Sequence, residues 1–451
     1  MREFTKSVLS LPWAISMFGV QQVANLVSPG SDRRVAGTAA AFDAVTKATE
    51  QQLDGWMKQT YTVGHGVQNG LVDLMTGQPP AVDSSALMRM AAEMQSGPLF
   101  QLLIKYGMPP VAWFDSFLVP RADSAAVLQE FSNKLDIIQL VTQVHGTLGL
   151  DHESHEPLPS LVERAANMET FPRLWAVEGL GNYYGDKALE EAAGGDPQML
   201  LTDEATAALP PWSLTMLHAG IGMSFAKAIL KTLDTTSTPD VVRAAVERFV
   251  SLCRNSSRPG YTGAALESLG LATRTLYPNL AALIDREIPS VDPELSGYFW
   301  HGVGRAMYFE PLNMLPSANA PWRAVTRLAQ EVPAGLPYKN ALAGISWAIT
   351  VVNMRHPEVM SAFLRHHGDI AERDDAFRNG LTSSLLMRYD TTRDGTSISP
   401  FIHHEPVDPV AQAAWHRFIT TPCDDALRTT YPQLKRSTTL EQLFHYRPEQ
   451  A

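Results

Sequence analysis

The chain has 451 residues, 45% hydrophobic and 18% charged, with 31 Pro and 30 Gly. Disorder needs low hydrophobicity and high charge, so a disordered or low-complexity protein is excluded. The net charge of −11 argues against nucleic acid as a general partner, since phosphate binding takes a basic surface.

The length allows two or three cores, or one repeat array that grows without a single centre. A charged fraction below the usual roughly 25% implies surface that is apolar or buried against something. Two cysteines, Cys253 and Cys423, are too few for a disulfide framework or a cysteine-rich zinc site. They read as thiols in a reducing compartment, so a cytoplasmic location is expected. No run of about 18 consecutive apolar residues occurs.

In chain order, the first apolar stretch is Val8 to Val20, broken by Ser10, Pro12 and Ser16. Arg2 and Lys6 give it the outline of a signal peptide, but no small-x-small cleavage site follows. Gln21, Gln22 and Asn25 continue it to Pro29 as an uncharged amphipathic helix. It is expected on the protein body, with peripheral membrane contact through residues 1–30 as the alternative. After Pro29, Gly30 and Ser31 a helical stretch runs from Ala36 to Leu74, with Phe42, Val45, Ala48, Leu53, Trp56 and Met57 near helical spacing. It stops at Gly77, Pro79 and Pro80. In texture it resembles the phasins, amphipathic helical proteins that coat storage granules. Residues 1–80 are therefore expected as N-terminal amphipathic helices and 81–160 as a helical connector. Within the connector, Ser84–Ile104 and Ser124–Gln143 read as helices, Ser124 being placed as an N-cap. Alternating β-branched runs are almost absent, so the expected class is all-α.

From Pro172 onward, glycines inside apolar segments recur: Gly179, Gly220, Gly263, Gly302, Gly344 and Gly380, at intervals of 41, 43, 39, 42 and 36 residues. A period near ~40 with room for two helices per unit predicts an array of helical hairpin repeats. A mid-helix glycine costs up to about 1 kcal/mol against alanine, so the series implies helices in close approach. Glu-Gly-Leu-Gly-Asn at 178–182 echoes His-Gly-Val-Gly-Arg at 301–305, and Ala-Gly-Ile at 219–221 recurs at 343–345. These echoes predict an internal duplication: a first triplet over 161–284, a second over 285–400, and a C-terminal extension over 401–451.

The run Phe-Trp-His-Gly-Val-Gly-Arg-Ala-Met-Tyr-Phe at 299–309, the repeated Ala-Gly-Ile and Arg-Pro-Gly-Tyr at 258–261 resemble a bacterial family of unknown function encoded beside enediyne-type polyketide biosynthesis genes. The likeness covers roughly residues 160–400. It implies a setting in natural-product biosynthesis and brings no reaction or catalytic residues.

No phosphate loop, nucleophile elbow or dinucleotide fingerprint is present, and no cofactor is expected. Two histidine pairs, His152 with His155 and His403 with His404, are the metal-ligand candidates. Their spacing does not match a one-turn pair on a helix, so no metal is expected. His366 and His367 read as a helix end capped by Gly368. In the duplicated register, positions one before and three after each glycine share a helix face. Units one and four thereby bring together Glu178, Asn182, His301 and Arg305, with His218 on unit two. Glu178, His301 and Arg305 suit general acid/base work, carboxylate or imidazole taking the proton and guanidinium holding an anion. The same residues suit an ion-pair network between packed repeats, the more frequent use of charge inside such arrays. Trp175, Trp300 and Trp347, with Asn182 and His218, are the candidate ligand-binding residues for a large apolar molecule; core filling is the alternative use of the tryptophans.

The expected function is a helical-repeat protein of polyketide-type biosynthesis that binds a large apolar ligand or a partner protein. An enzyme on a polyketide-like substrate, and a granule- or membrane-surface coat protein, are the alternatives.

Overall fold

A computed structural model describes residues 124–446 apart from 143, 151–155, 193, 311–321 and 393–394, all within one compact unit. The expected N-terminal helices of residues 1–80, the candidate membrane contact of residues 1–30, and His152 with His155 lie outside the described residues. Among the described residues the regular structure is helical, with no strand, which makes the fold all-α.

The principal helices are α1 (Ser124–Thr142), α2 (Leu158–Ala166), α3 (Thr170–Glu191), α4 (Pro211–Leu230), α5 (Pro239–Ser256), α6 (Thr262–Leu266), α7 (Ser268–Leu276), α8 (Ala281–Val291), α9 (Leu295–Phe309), α10 (Arg323–Glu331), α11 (Leu336–Asn353), α12 (Pro357–Arg373) and α13 (Asp375–Thr392). A long helical run, Pro409–Ser437, follows. Several begin on proline (Pro211, Pro239, Pro357, Pro409), where the missing N–H would have had no intrahelical partner. Asp408 caps the last run by accepting from the N–H groups of Val410 and Ala411. Within that run, π-helical turns at His416–Thr420 and Ala426–Thr430 each come just before a proline, Pro422 and Pro432. A proline ring crowds the carbonyl four residues back, and a widened turn makes room for it.

The helices fall into two kinds. α5 buries one stripe (Val242, Val246, Phe249, Val250, Cys253), as a helix on the outside of a body should. α4 and α11 are buried almost all round, α11 without interruption from Asn340 to Asn353. The inner row runs α1, α3, α4, the α6–α7 pair, α9, α11, α13, each packed on the next. α4 is also the one described helix long and apolar enough to cross a membrane, and 83% of its apolar window is buried inside the body.

The inner row is held by small residues two apart. Residues i and i+2 point about 200° apart on a helix, so such a pair faces two neighbours. Gly179 lies against Val141 of α1 and Gly181 against Leu217 of α4. Gly220 lies against Glu178 and Asn182 of α3, and Gly222 against Ala265 of α6. Gly302 touches Glu267 and Leu271, Gly304 touches Ala341, and Gly344 touches His301 and Arg305. At each of these places a Cβ would come within 3.0 Å of a neighbour's backbone, so only glycine allows the approach. In α11 the second position is Ser346, whose hydroxyl donates to the Phe377 carbonyl at 2.6 Å.

Two expectations about glycines are corrected. The third unit takes part in the ladder through Ser268 and Gly270, not through Gly263. The Ser268 hydroxyl donates to the Ala219 carbonyl at 3.0 Å and Gly270 lies on Phe299, whereas Gly263 faces Tyr298 and Glu441. The interval of about 40 is therefore irregular: it stretches between Gly220 and Ser268 and shortens between Ser268 and Gly302. Gly368 is no C-cap either; α12 runs on to Arg373 with a kink at His367 (φ −133°). The expected boundary at 284/285 falls inside α8.

Candidate functional site

One layer of the inner row carries charge. Arg305 on α9 donates from Nη1 to Oε2 of Glu267 and from Nη2 to Oε1 of Glu178, both at 2.9 Å. The Nδ1 of His301, one turn earlier on α9, lies 2.6 Å from Oε1 of Glu267. Trp347 of α11 places its ring 4.7 Å from the guanidinium carbon and edge-on to the imidazole at 6.4 Å. Exposures are 6% for Glu178, 0% for Glu267, 1% for His301 and 4% for Arg305. Glu178 and Arg305 are thus brought together from opposite ends of the duplicated register, as the spacing implied. They meet as a closed ion-pair network.

The electrostatics follow from burial. Desolvation raises the Glu178 carboxyl above its ordinary value, and Arg305 only partly offsets it. For Glu267 burial acts in the same direction, but Arg305 and His301 together outweigh it and hold the carboxyl below its ordinary value. Arg305, flanked by both carboxylates, is raised despite its burial. An Arg fixed between two carboxylates is a permanent countercharge, and each proton-bearing nitrogen it uses already has an acceptor.

Glu267 was not singled out from sequence, although a signal for it exists. It sits immediately before Ser268-x-Gly270, as Glu178 precedes Gly179-x-Gly181 and His301 precedes Gly302-x-Gly304. Placing the third unit at Gly263 shifted the register by five residues and hid it.

The other candidates are placed as follows. Asn182 lies one turn beyond Glu178, and its buried Oδ1 has no hydrogen-bond partner among the described residues. His218 lies apart from the charged network. Its Nε2 accepts from the Arg258 N–H at 3.0 Å, so Nδ1 carries the proton and donates to the Leu214 carbonyl at 2.6 Å. The ring stacks on Tyr261 at 5.3 Å, and burial lowers its pKa to about 4. With both nitrogens engaged, His218 anchors the 258–261 turn. Trp175 is core, edge-on to Phe171 at 6.1 Å. Trp300 is buried and its Nε1–H donates to Asp285 at 2.7 Å.

His403 reaches toward Asp424 at 3.9 Å while His404 packs edge-on against Trp415 at 4.8 Å, so the pair does not converge. Among the described residues no group of three or more His, Cys, Asp or Glu is placed to hold a metal ion. Cys253 and Cys423 are both buried with raised thiol pKa values, the cause in each being desolvation.

A second buried polar group joins α1 to α9 and α11. Lys134 lies 3.2 Å from Glu130 with its Nζ 3.8 Å above the Tyr308 ring. Asn133 donates to Asn353 at 2.9 Å, and Asn353 donates to the Tyr308 hydroxyl at 2.8 Å. Nothing in the local pattern marks it, because Lys134 sits where a solvent-facing lysine would. Compared with known proteins, the chain matches no family model, no curated protein and no solved structure.

Proposed function

We propose that this chain is a rigid helical body serving polyketide-type natural-product biosynthesis by binding, and that what it binds is a partner protein. The observation that carries the binding role is the closure of the Glu178–Arg305–Glu267–His301 network. The charged groups best suited to chemistry are already engaged with one another inside the body. The tryptophans of the core point the same way, since Trp175 and Trp347 fill the interior where an apolar ligand would need a free face. That leaves the outer surface for recognition, and surfaces of low charge suit protein partners. The biosynthetic setting and a cytoplasmic location rest on sequence: the 299–309 run and the cysteine usage.

The test is titration of the purified full chain with each protein encoded beside its gene, followed by calorimetry and native mass spectrometry. A stoichiometric protein complex is the expected result. A stoichiometric small apolar molecule in the free chain, with no complex formed, overturns the reading.

The acid/base alternative has one observation in its favour. The Glu178 carboxyl is raised by burial and His301 is oriented by a carboxylate, as in a proton-transfer pair. It predicts that His301→Gln loses product formation in vivo at unchanged stability. The coat alternative rests on residues 1–74, outside the described residues, and predicts loss of membrane or granule sedimentation when residues 1–30 are deleted.

A further inference from the structure

The segment Leu440–Tyr446 packs on the helices that carry the charged layer. It follows the helical run Pro409–Ser437 through Thr438, a β-branched residue in the left-handed region (φ 55°). That conformation is costly for such a residue and concentrates strain at one joint. Beyond it, Leu440–Phe444 forms a 3₁₀ turn.

Two elements of the inner row, α6 and α9, meet this segment about one turn before a residue of the layer. Gly263 faces Glu441, and four residues on is Glu267. Gly297 faces His445, and four residues on is His301. His445 also packs on the Tyr298 ring at 4.5 Å, and Phe444 packs on the Trp347 ring at 6.1 Å. The spacing of four places the segment over the Glu267–His301–Trp347 face as a cover.

The cover is fastened at its far end. The Tyr446 hydroxyl donates to Asp375 at 2.6 Å and accepts from Lys339 at 3.3 Å, and its N–H donates to Asn340 at 2.7 Å. The Lys339 and Asp375 side chains are about one-third exposed, at 37% and 30%, so water reaches the partners of the buried Tyr446. A joint, a plug and a latch occupy nine residues.

We propose that residues 438–446 are a displaceable strap, hinged at Thr438 and latched by Tyr446, whose release opens the His301, Glu267 and Trp347 layer to solvent. The inference is independent of the partner-binding role.

The experiment is diethylpyrocarbonate labelling of the full chain, read at His301 by peptide mass spectrometry, with half-exposed His403 as the internal reference. Hydrogen exchange of α4 reports on global opening in the same samples. Tyr446→Phe removes the latch hydroxyl, and Phe444→Ala removes the plug. Tyr446→Phe is expected to raise His301 labelling roughly tenfold relative to His403, the scale of losing one hydrogen bond to a charged group, and Phe444→Ala at least as much, with α4 exchange unchanged. His301 labelling that stays at the wild-type level in the variants overturns the strap. So does labelling that rises only together with α4 exchange, or a Phe444→Ala chain that does not fold. Either would make the segment part of the cooperative core, with Tyr446→Phe as the milder variant that separates the two cases.

Discussion

Arg305 bridges two buried carboxylates. Among the described residues its guanidinium is the one cationic partner of Glu178, and it also binds Glu267. Removing one partner of a buried ion pair leaves uncompensated charge and costs about 3–5 kcal/mol. Arg305→Ala is expected to lose that much, seen as a lower urea midpoint with an unchanged slope. Arg305→Lys is expected to recover little, because one ammonium cannot present the planar fork that spans two carboxylates. His218 sets an acid limit. Its folded pKa of about 4 lies below the unfolded value of 6.5, so the unfolded chain takes the proton first. Stability is whole above pH 6.5 and is lost as pH falls toward 4, at about 1.4 kcal/mol per pH unit. Unfolding His218→Gln at pH 7 and pH 5 checks this: the variant's fall between them is expected to be smaller than wild type by roughly 2 kcal/mol.

Between helices, the decisive quantity is the distance between backbones. Gly304 and Gly368 are both helical glycines without a left-handed φ, so propensity treats them alike. A methyl on Gly304 would strike the Ala341 backbone; a methyl on Gly368 meets nothing within 4 Å. Gly304→Ala is expected to destabilise by about 1–3 kcal/mol through overpacking. Gly368→Ala is expected to be neutral or to stabilise by up to about 1 kcal/mol, the ordinary helix gain. Thermal unfolding of the two variants side by side checks the sign as well as the size. The Gly220 contact, against residues 178 and 182, recurs at Gly302 against 267 and 271 and at Gly344 against 301 and 305, so it marks successive steps of the row.

For the whole molecule, the contacts that matter join distant parts of the chain. A solenoid touches only its neighbours and can unfold piece by piece. Here Arg305 reaches Glu178, Asn133 reaches Asn353, and Arg388 donates to the Thr170 carbonyl, spans of 127, 220 and 218 residues. Such ties couple distant parts of the described body, and one cooperative unit is the expected result. Tryptophan fluorescence and far-UV circular dichroism of this body are expected to report one coincident transition, in wild type and in Arg305→Ala alike. Two separated transitions, one per triplet, would show that the cross-links do not couple them.

The helical class, the close-approach glycines at 179, 220, 302 and 344 and the polar face of Glu178, His301 and Arg305 were legible in the sequence. They depend on periodicity along one helix, and periodicity is local. The Ser268–Gly270 register, the part played by Glu267 and the Lys134 group were not. A serine does a glycine's work at 268 by bonding across the gap, so a search for glycine alone misses it. Whether the charged face lines an open cleft or closes on itself was left to the tertiary structure. It depends on which helix stands opposite and on whether a later segment covers the end. In this chain the partners of Arg305 lie 38 and 127 residues away, and the residues that pack on Tyr298 and Trp347 come more than ninety residues later.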